Sequence, residues 1–264
     1  MGRVYTLVNQ KGGVGKTTTA INLGAYLAQY EQRVLIVDAD PQANATSSLG
    51  VDRRSVRGGT YDVLLGGTPA SALVLQNPRL KLAILPSSPS LAGAEVELVN
   101  ELGRESKLQH ALEPLLDRYD YILIDCPPSL GLLTVNGLMA ARDGVLIPVQ
   151  CEYLALEGLG ELTHTIQRVR SALFPALKVR GVIMTMFDGR THLSQDVVAE
   201  VHKYFPEKVF ETIIPRSVRL AEAPSYGQPV STYAPGSSAA KSYEMLAREL
   251  LRKDGAVIPE SEQS

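Results

Sequence analysis

A glycine-rich segment lies between a predicted strand and a predicted helix near the start of the chain. Residues 11–18 read Lys-Gly-Gly-Val-Gly-Lys-Thr-Thr, after the apolar run at 3–9 and at the start of the helical pattern at 16–30. Glycines lack a Cβ, so the backbone can bend until successive N–H groups point at one spot. The first turn of the helix adds partial positive charge there. The segment therefore predicts a cradle for phosphate groups.

The polar residues of the segment have separate roles in such a cradle. The Lys16 ammonium would neutralise the β- and γ-phosphates, the Thr17 hydroxyl would bind Mg²⁺, and Thr18 would donate to the α-phosphate. The usual phosphate-loop pattern requires a glycine where Gln10 stands, and a second lysine, Lys11, opens the loop. The alternative is a glycine-rich turn with a surface lysine. The register of strand, glycines, Gly-Lys-Thr and helix favours the phosphate loop.

Short apolar runs alternate with amphipathic stretches along the rest of the chain. Strands are predicted at 3–9, 33–38, 81–85, 121–125, 144–149, 179–185 and 208–214, and helices at 16–30, 60–66, 91–117 (with a break near Gly103), 131–142, 155–173, 191–204 and 237–253. Several of the strands are continuously apolar, which is typical of strands covered on both faces. The order predicts an α/β fold, a doubly wound and mostly parallel sheet with helices on both faces.

Composition narrows the class of protein further. The 264 residues are 45% hydrophobic and 20% charged, enough to bury a full core, and no linker divides them. We expect a single domain at 1–255 followed by a polar tail at 256–264. The net charge is -2, so any contact with nucleic acid must come from a local basic patch. Two cysteines and the lack of an apolar run of about 18 residues predict a reduced, cytoplasmic protein.

Three aspartates fall at the predicted carboxyl ends of central strands, where α/β sheets place their ligands. Asp38 and Asp40 close the second strand, and alternation puts both on one side. Asp40 is suited to orienting a water molecule in line with a γ-phosphate. Asp125 ends the apolar run at 121–124 and would bind Mg²⁺ through water. A helix cap or a turn is the alternative for each aspartate, but it explains the three together less well.

The phosphate loop resembles the deviant Walker A motif of the ParA/MinD-type ATPases. The flanking Val-Asn-Gln and Thr-Ala-Ile-Asn-Leu resemble the ParA/Soj chromosome-partitioning branch of that family. The resemblance spans about residues 3–250, with blocks at 37–46, 124–129, 148–152, 214–216 and 223–225. It implies a P-loop NTPase fold, ATP and Mg²⁺ as cofactors, and Mg²⁺-dependent hydrolysis of ATP to ADP and phosphate.

The resemblance also implies a role for each candidate site residue. In the family two subunits enclose two ATP molecules, and the signature lysine, here Lys11, reaches the partner's nucleotide. Catalysis would fall to Lys11, Lys16 and Asp40; nucleotide binding to Lys11, Gly12, Gly13, Val14, Gly15, Lys16, Thr17, Thr18, Pro215 and Ser217; and metal binding to Thr17, Asp38 and Asp125. The loop with Pro215 and Ser217 would hold the adenine, and Ser217 stands where many relatives carry Asn.

Arginines in the last third of the chain are the candidates for DNA binding. Arg190 and Arg219 match arginines that carry sequence-independent DNA binding in the partitioning branch, and Arg216 could share a helical face with Arg219. The resemblance implies an ATP-bound homodimer that binds double-stranded DNA, associates with the nucleoid and releases the DNA when a ParB-type centromere-binding partner stimulates hydrolysis. Ordinary surface arginines are the alternative.

Two other functions fit the same fold. One is a membrane-associated MinD-like positioning ATPase, and the other is a metabolic or cofactor-assembly ATPase that does not bind DNA. The C-terminal stretch is apolar at Tyr243, Leu246, Ala247 and Leu250, and such a face usually packs on its own domain. Acidic residues interrupt its basic side, so we expect no membrane attachment.

Overall fold

The computed structural model describes residues 1–153, 155–256 and 258. These residues form a seven-stranded sheet with the strand order β3-β4-β2-β5-β1-β6-β7. The strands are β1 (Arg3–Leu7), β2 (Val34–Asp38), β3 (Leu75–Asn77), β4 (Leu82–Leu85), β5 (Tyr121–Asp125), β6 (Gly144–Gln150) and β7 (Val179–Thr185). All neighbouring strands pair in parallel except β3, which runs antiparallel on β4. The predicted mostly parallel sheet is confirmed.

Helices cover both faces of this sheet. They are α1 (Lys16–Gln29), α2 (Asn44–Ser48), α3 (Thr60–Leu64), α4 (Ala70–Leu73), α5 (Leu91–Glu97), α6 (Lys107–Leu112), α7 (Leu132–Ala140), α8 (Ala155–Ala172), α9 (His192–Tyr204), α10 (Val218–Glu222), α11 (Val230–Tyr233) and α12 (Ser238–Lys253). Successive residues of β2 alternate between two cores, with Leu35 and Val37 in one and Val34 and Ile36 in the other. The central strands therefore bury both of their faces, which explains their continuous apolar runs, whereas the edge strand β3 is largely exposed.

The predicted strand at 208–214 is wrong, because this segment forms one isolated bridge to β7, between Val209 and Val182, rather than a continuous ladder. The N–H groups of Glu211 and Thr212 donate instead to the two carboxylate oxygens of Glu249 on α12, at 2.9 and 3.0 Å. A backbone that donates to a side chain cannot also extend the ladder. The buried Glu249 carboxylate thus ends the sheet at β7.

The predicted helix at 91–117 is not continuous. The break lies near Gly103, as predicted, where φ is +63°. On its two sides α5 ends at Glu97 and α6 begins at Lys107. The Asn136 side chain accepts the Leu108 N–H at 3.1 Å, which helps to fix the new helix start.

Several very short elements are not predicted by the sequence pattern. The edge strand β3 has three residues, and α2, α4, α10 and α11 have four or five each. A single turn or three residues give no measurable period, so composition alone could not reveal them.

The helix α12 packs on α1, and its apolar face, which includes Tyr243, Leu246 and Leu250, is buried against the core. Among the described residues, none of the helices combines the length and the apolar character that a bilayer span requires. Cys126 and Cys151 are both buried and do not form a disulfide. Of the predicted tail at 256–264, residues 257 and 259–264 lie outside the described residues, whereas Ala256 and Ile258 pack partly against the core.

Candidate functional site

The phosphate loop connects the central strand β1 to α1 at the carboxyl edge of the sheet. Gly13 and Gly15 have φ of +75° and +91°, a region that L side chains rarely adopt, and Gly15 caps the N-terminus of α1. The Thr185 hydroxyl at the end of β7 donates to the Val14 carbonyl at 2.8 Å. The loop is thereby held in a shape that only glycines adopt readily at these two positions, with the start of α1 behind it.

Lys16 occupies the first position of α1 and is 6% exposed. Its Nζ lies 3.2 Å from the Lys11 carbonyl oxygen, within the loop. Burial lowers the pKa of the Lys16 ammonium, and the nearby carboxylates of Asp125 and Asp40 oppose that shift. An anion that entered the loop would meet a positive charge already held in place.

Asp125 and Asp38 lie side by side in register on β5 and β2, and both are fully buried. The Thr17 hydroxyl donates to Asp125 Oδ2 at 2.6 Å, whereas Asp125 Oδ1 has no hydrogen-bond partner among the described residues. Burial and the neighbouring Asp38 raise the pKa of Asp125 well above its ordinary value. An unpartnered carboxylate oxygen beside a hydroxyl is a suitable donor set for Mg²⁺, which prefers oxygen ligands. The residues present therefore fit the ion.

The carboxylate of Asp38 is engaged within the fold. Its Oδ2 accepts the Thr46 N–H at 2.8 Å and the Thr46 hydroxyl at 2.6 Å, and its Oδ1 accepts the Asp40 N–H at 3.2 Å. Burial raises the pKa of Asp38 to about 6, although these hydrogen bonds oppose the shift. Asp38 thus joins α2 to the turn after β2, and sequence reasoning missed Thr46 as its partner.

Asp40 lies in that turn and faces the phosphate loop. Its Oδ1 accepts the Gln42 N–H at 2.8 Å, and its carbonyl accepts the Ser87 hydroxyl at 2.8 Å. With the loop it lines a cavity of about 230 Å³. The lining residues are Gly12, Gly13, Gly15, Lys16, Thr17, Thr18, Asp40, Gln42, Asn44, Pro128 and Met186. Gln42 and Asn44 belong to the block at 37–46 that resembles the family, but no pattern in the sequence assigns them a role.

A second, mainly apolar cavity of about 390 Å³ adjoins the first. Gly15, Thr18 and Met186 line both cavities. The lining of the second cavity is Gly15, Thr18, Thr185, Met186, Ile214, Pro215, Arg216, Ser217, Val218, Leu220, Ala221 and Tyr243. The structure therefore places Pro215 and Ser217 beside the phosphate loop. The Ser217 hydroxyl also caps α10, because it accepts the Arg219 N–H at 3.3 Å.

Lys11 does not line the phosphate cavity. Its Nζ lies 3.4 Å from Oε2 of Glu152, and its side chain is 34% exposed. The other carboxylate oxygen of Glu152 lies 3.6 Å from Arg216. Glu152, which follows β6, thus links the signature lysine to a candidate DNA-binding arginine, and sequence reasoning had given it no role.

The three candidate arginines are exposed, and each has an acidic neighbour. Ion pairs join Arg190 to Asp188 at 2.6 Å, Arg216 to Glu152 at 3.6 Å and Arg219 to Glu222 at 2.9 Å. The hydrogen bonds and charge of Arg190, with a weaker contribution from the charge of Arg216, lower the pKa of Asp188 to about 2. Exposed ion pairs exchange readily with solvent ions, so all three arginines remain accessible to an anionic ligand.

Comparison with known sequences gives the family. A family model described as an AAA domain matches residues 2–179. The chain is 54% identical over 259 residues to the chromosome partitioning protein ParA of Myxococcus xanthus, covering 98% of this chain and 91% of that protein. It is 51% identical over 250 residues to the sporulation initiation inhibitor protein Soj of Bacillus subtilis, covering 95% and 98%.

Comparison with solved structures supports the fold. A crystal structure of cobyrinic acid a,c-diamide synthase from Mycobacterium smegmatis with bound ADP and magnesium matches with a TM-score of 0.85. The two chains are 40% identical, and the match covers 98% of each. The septum site-determining protein MinD of Pyrococcus horikoshii, complexed with Mg-ADP, matches with a TM-score of 0.77 at 26% identity, over 97% of this chain and 98% of that one. The predicted P-loop NTPase fold is confirmed.

Proposed function

The chain belongs to the ParA/Soj family of chromosome-partitioning ATPases, and from this premise we propose that ATP switches it between a free and a DNA-bound form. ATP and Mg²⁺ bind at residues 11–18, and two subunits then close face to face. The closed dimer binds duplex DNA without sequence preference. A ParB-type partner stimulates hydrolysis, after which the dimer opens and the DNA is released.

The two adjoining cavities support ATP as the nucleotide. The polar cavity offers the loop N–H groups and Lys16 to a polyphosphate, and the apolar cavity offers Pro215 and Tyr243 to a flat base. Gly15 and Thr18 lie at the junction, where the α-phosphate and the ribose would pass. The observation that carries this assignment is the positive φ of Gly13 and Gly15 directly before the buried Lys16.

Asp125 and Thr17 are the residues that would hold Mg²⁺. When bound, the ion neutralises the charge that develops on the phosphate oxygens during transfer. The unpartnered Oδ1 of Asp125 supports this role directly. Asp38 would support the metal site indirectly, because its oxygens already accept hydrogen bonds from the Thr46 hydroxyl and the Asp40 N–H.

Asp40 would position the attacking water. It lies in the wall of the phosphate cavity, and its Oδ1 is oriented by the Gln42 N–H. A carboxylate fixed in this way can accept a hydrogen bond from a water molecule and align it with the γ-phosphate. A ParB-type partner that improved this alignment would raise the hydrolysis rate without adding a new catalytic group.

Lys11 would act on the nucleotide of the second subunit. Its only ion pair among the described residues is with the partly exposed Glu152, so its ammonium can leave for a more highly charged ligand. A cation supplied across an interface makes dimerisation depend on the triphosphate, as an arginine finger does in other NTPases.

Arg190, Arg216 and Arg219 would bind the DNA. Contacts with phosphates need only accessible cations and give no sequence preference. A dimer doubles the number of these contacts, so its affinity exceeds that of a monomer. This explains how a chain with a net charge of -2 binds DNA in the dimeric state alone.

A second candidate function is that of a cofactor-assembly ATPase. It is favoured by the 40% identity to the chain described as cobyrinic acid a,c-diamide synthase. Such an enzyme would hydrolyse ATP without affinity for DNA. The membrane-associated alternative has less support, because the apolar face of α12 is buried against α1 and the core.

The experiment that separates these functions measures oligomeric state and DNA binding together. The protein is incubated with Mg²⁺ and ATP, or with Mg²⁺ and ADP, and examined by light scattering and by gel shift on two unrelated duplexes. With Mg²⁺ and ATP we expect the protein to form dimers and to shift both duplexes. With Mg²⁺ and ADP we expect neither. Hydrolysis without any shift at low salt would favour the cofactor-assembly function instead.

A further inference from the structure

A polar cavity of about 290 Å³ lies at the amino edge of the sheet, opposite the phosphate loop. It is formed where β1, β6 and β7 begin and where α12 ends. The cationic residues in its wall are Arg3, Lys178, Arg180, Lys208 and Lys253. Strands of five residues separate this edge from the nucleotide site by about 17 Å.

A buried carboxylate organises the wall of this cavity. The side chain of Asp254, directly after α12, is 1% exposed. It accepts hydrogen bonds from Arg180 at 2.7 Å, from the Tyr5 hydroxyl at 2.7 Å and from the Tyr121 hydroxyl at 3.1 Å. Arg3 lies 3.6 Å from the same carboxylate. The two guanidinium groups are therefore held in fixed positions, so a ligand would not have to order them.

The remaining lysines leave the cavity positively charged. Neither Lys178 nor Lys208 forms an ion pair with a described residue. Lys253 is paired with Glu249 at 3.6 Å and stacks over the Phe210 ring.

The acidic residues do not balance this charge. Among the described residues, the acidic side chains that line the cavity are Asp254 and Asp143, and Glu249 pairs with Lys253. Asp143 lies 3.6 Å from Arg3 and accepts the N–H of Val4. Five positive charges therefore face three carboxylates, whose oxygens are already engaged.

We propose that this cavity binds a small phosphate-bearing anion of about the size of pyrophosphate. Fixed guanidinium groups bind phosphate oxygens in pairs, and mobile lysine ammoniums complete the neutralisation. The volume lies at the lower end of the range for small-molecule sites. Because the cations converge on a concavity rather than spread along a surface, a compact anion fits better than a duplex.

The test is calorimetric titration of pyrophosphate into the full chain carrying Lys16→Ala, which removes the main cation of the phosphate loop. One saturable site is expected. Adding Lys178→Ala and Lys208→Ala should weaken binding at least about tenfold, the value of one lost charged hydrogen bond. The matched control adds Lys203→Ala and Lys241→Ala, which remove the same charge from exposed positions elsewhere and should change the affinity less than about twofold.

Three results would overturn the proposal. They are the lack of saturable binding at millimolar pyrophosphate, equal weakening by both lysine pairs, and a loss of duplex DNA binding in the Lys178 and Lys208 variant without any pyrophosphate binding. A second measurement needs no substitution at the site. Pyrophosphate should slow the chemical acetylation of Lys178 and Lys208 but not that of Lys203, as measured by mass spectrometry. If Lys178 and Lys208 were acetylated at the same rate with and without pyrophosphate, that result would also contradict the site.

Discussion

The Thr17 hydroxyl donates a 2.6 Å hydrogen bond to Asp125, joining the first turn of α1 to the end of β5 across 108 residues of sequence. The other oxygen of Asp125 is buried without a partner among the described residues. A buried carboxyl group of this kind is costly to ionise unless a cation balances its charge. The free energy needed to ionise Asp125 therefore destabilises the metal-free fold, and bound Mg²⁺ would offset it.

Asp125→Asn should preserve the stability of the nucleotide-free chain but abolish the stabilisation that depends on Mg²⁺. Without nucleotide we expect the variant to unfold at the same temperature as the wild type or higher, because it lacks a buried group that is costly to ionise. With Mg²⁺ and ADP at about 100 times their dissociation constant, the wild type should gain about 2.7 kcal/mol, and the variant should lose the Mg²⁺-dependent part. Thermal unfolding with and without EDTA measures both effects.

The exposed Asp117→Asn is the matched control for that experiment and should behave as the wild type. A variant at Asp125 that kept the full response to Mg²⁺ would remove this residue from the metal site.

Substitution of the two lysines of the loop should impair different steps, nucleotide binding for Lys16 and dimerisation for Lys11. Lys16→Ala removes the buried ammonium beside the cavity, and nucleotide affinity should fall about ten- to a hundredfold. Lys11→Ala removes a side chain that faces Glu152, so one subunit should still bind ATP but should not dimerise. Titration with a fluorescent ATP analogue and light scattering give the two readouts. Equal loss of nucleotide affinity in both variants would contradict a role for Lys11 across the interface.

Some parts of the site could be predicted from the sequence, and others could not. The loop, Asp125 and Asp40 follow from local order, since each lies at or just after the carboxyl end of an apolar run, where parallel sheets place their ligands. Glu249 and Glu152 lie 37 and 141 residues from their partners Thr212 and Lys11. Such long-range pairs leave no local pattern, which is why the segment at 208–214 was mistaken for a strand.

Asp40→Asn should stop hydrolysis while it preserves the switch. The asparagine side chain can still accept the Gln42 N–H, so the turn after β2 should keep its shape. Water would no longer be oriented by a carboxylate, and the hydrolysis rate should fall by about a hundredfold. Phosphate release measures turnover, and gel shift with ATP should show DNA binding that lasts longer than in the wild type. Ordinary turnover would show that another group positions the water.

Glu249→Ala should destabilise the whole domain. The substitution leaves the N–H groups of Glu211 and Thr212 without acceptors, and one of them is buried. A buried donor without a partner costs about 1–3 kcal/mol, which urea unfolding can measure. Glu249→Gln retains one acceptor oxygen and should lose less. If the alanine variant were as stable as the wild type, these hydrogen bonds would not be what ends the sheet.

Arg219 and Glu222 should affect DNA binding in opposite directions, because they form an exposed ion pair at 2.9 Å. Arg219→Ala removes a phosphate contact from each subunit, so ATP-dependent DNA binding should weaken and its salt dependence should become shallower by about one ion per contact. Glu222→Gln releases the arginine from its neighbour and should strengthen binding to the same duplex. Binding isotherms at several salt concentrations distinguish this from a folding defect, since dimerisation with ATP should be unchanged in both variants. If the glutamine variant bound DNA more weakly than the wild type, Glu222 would position Arg219 for the DNA rather than compete with the DNA phosphates for it.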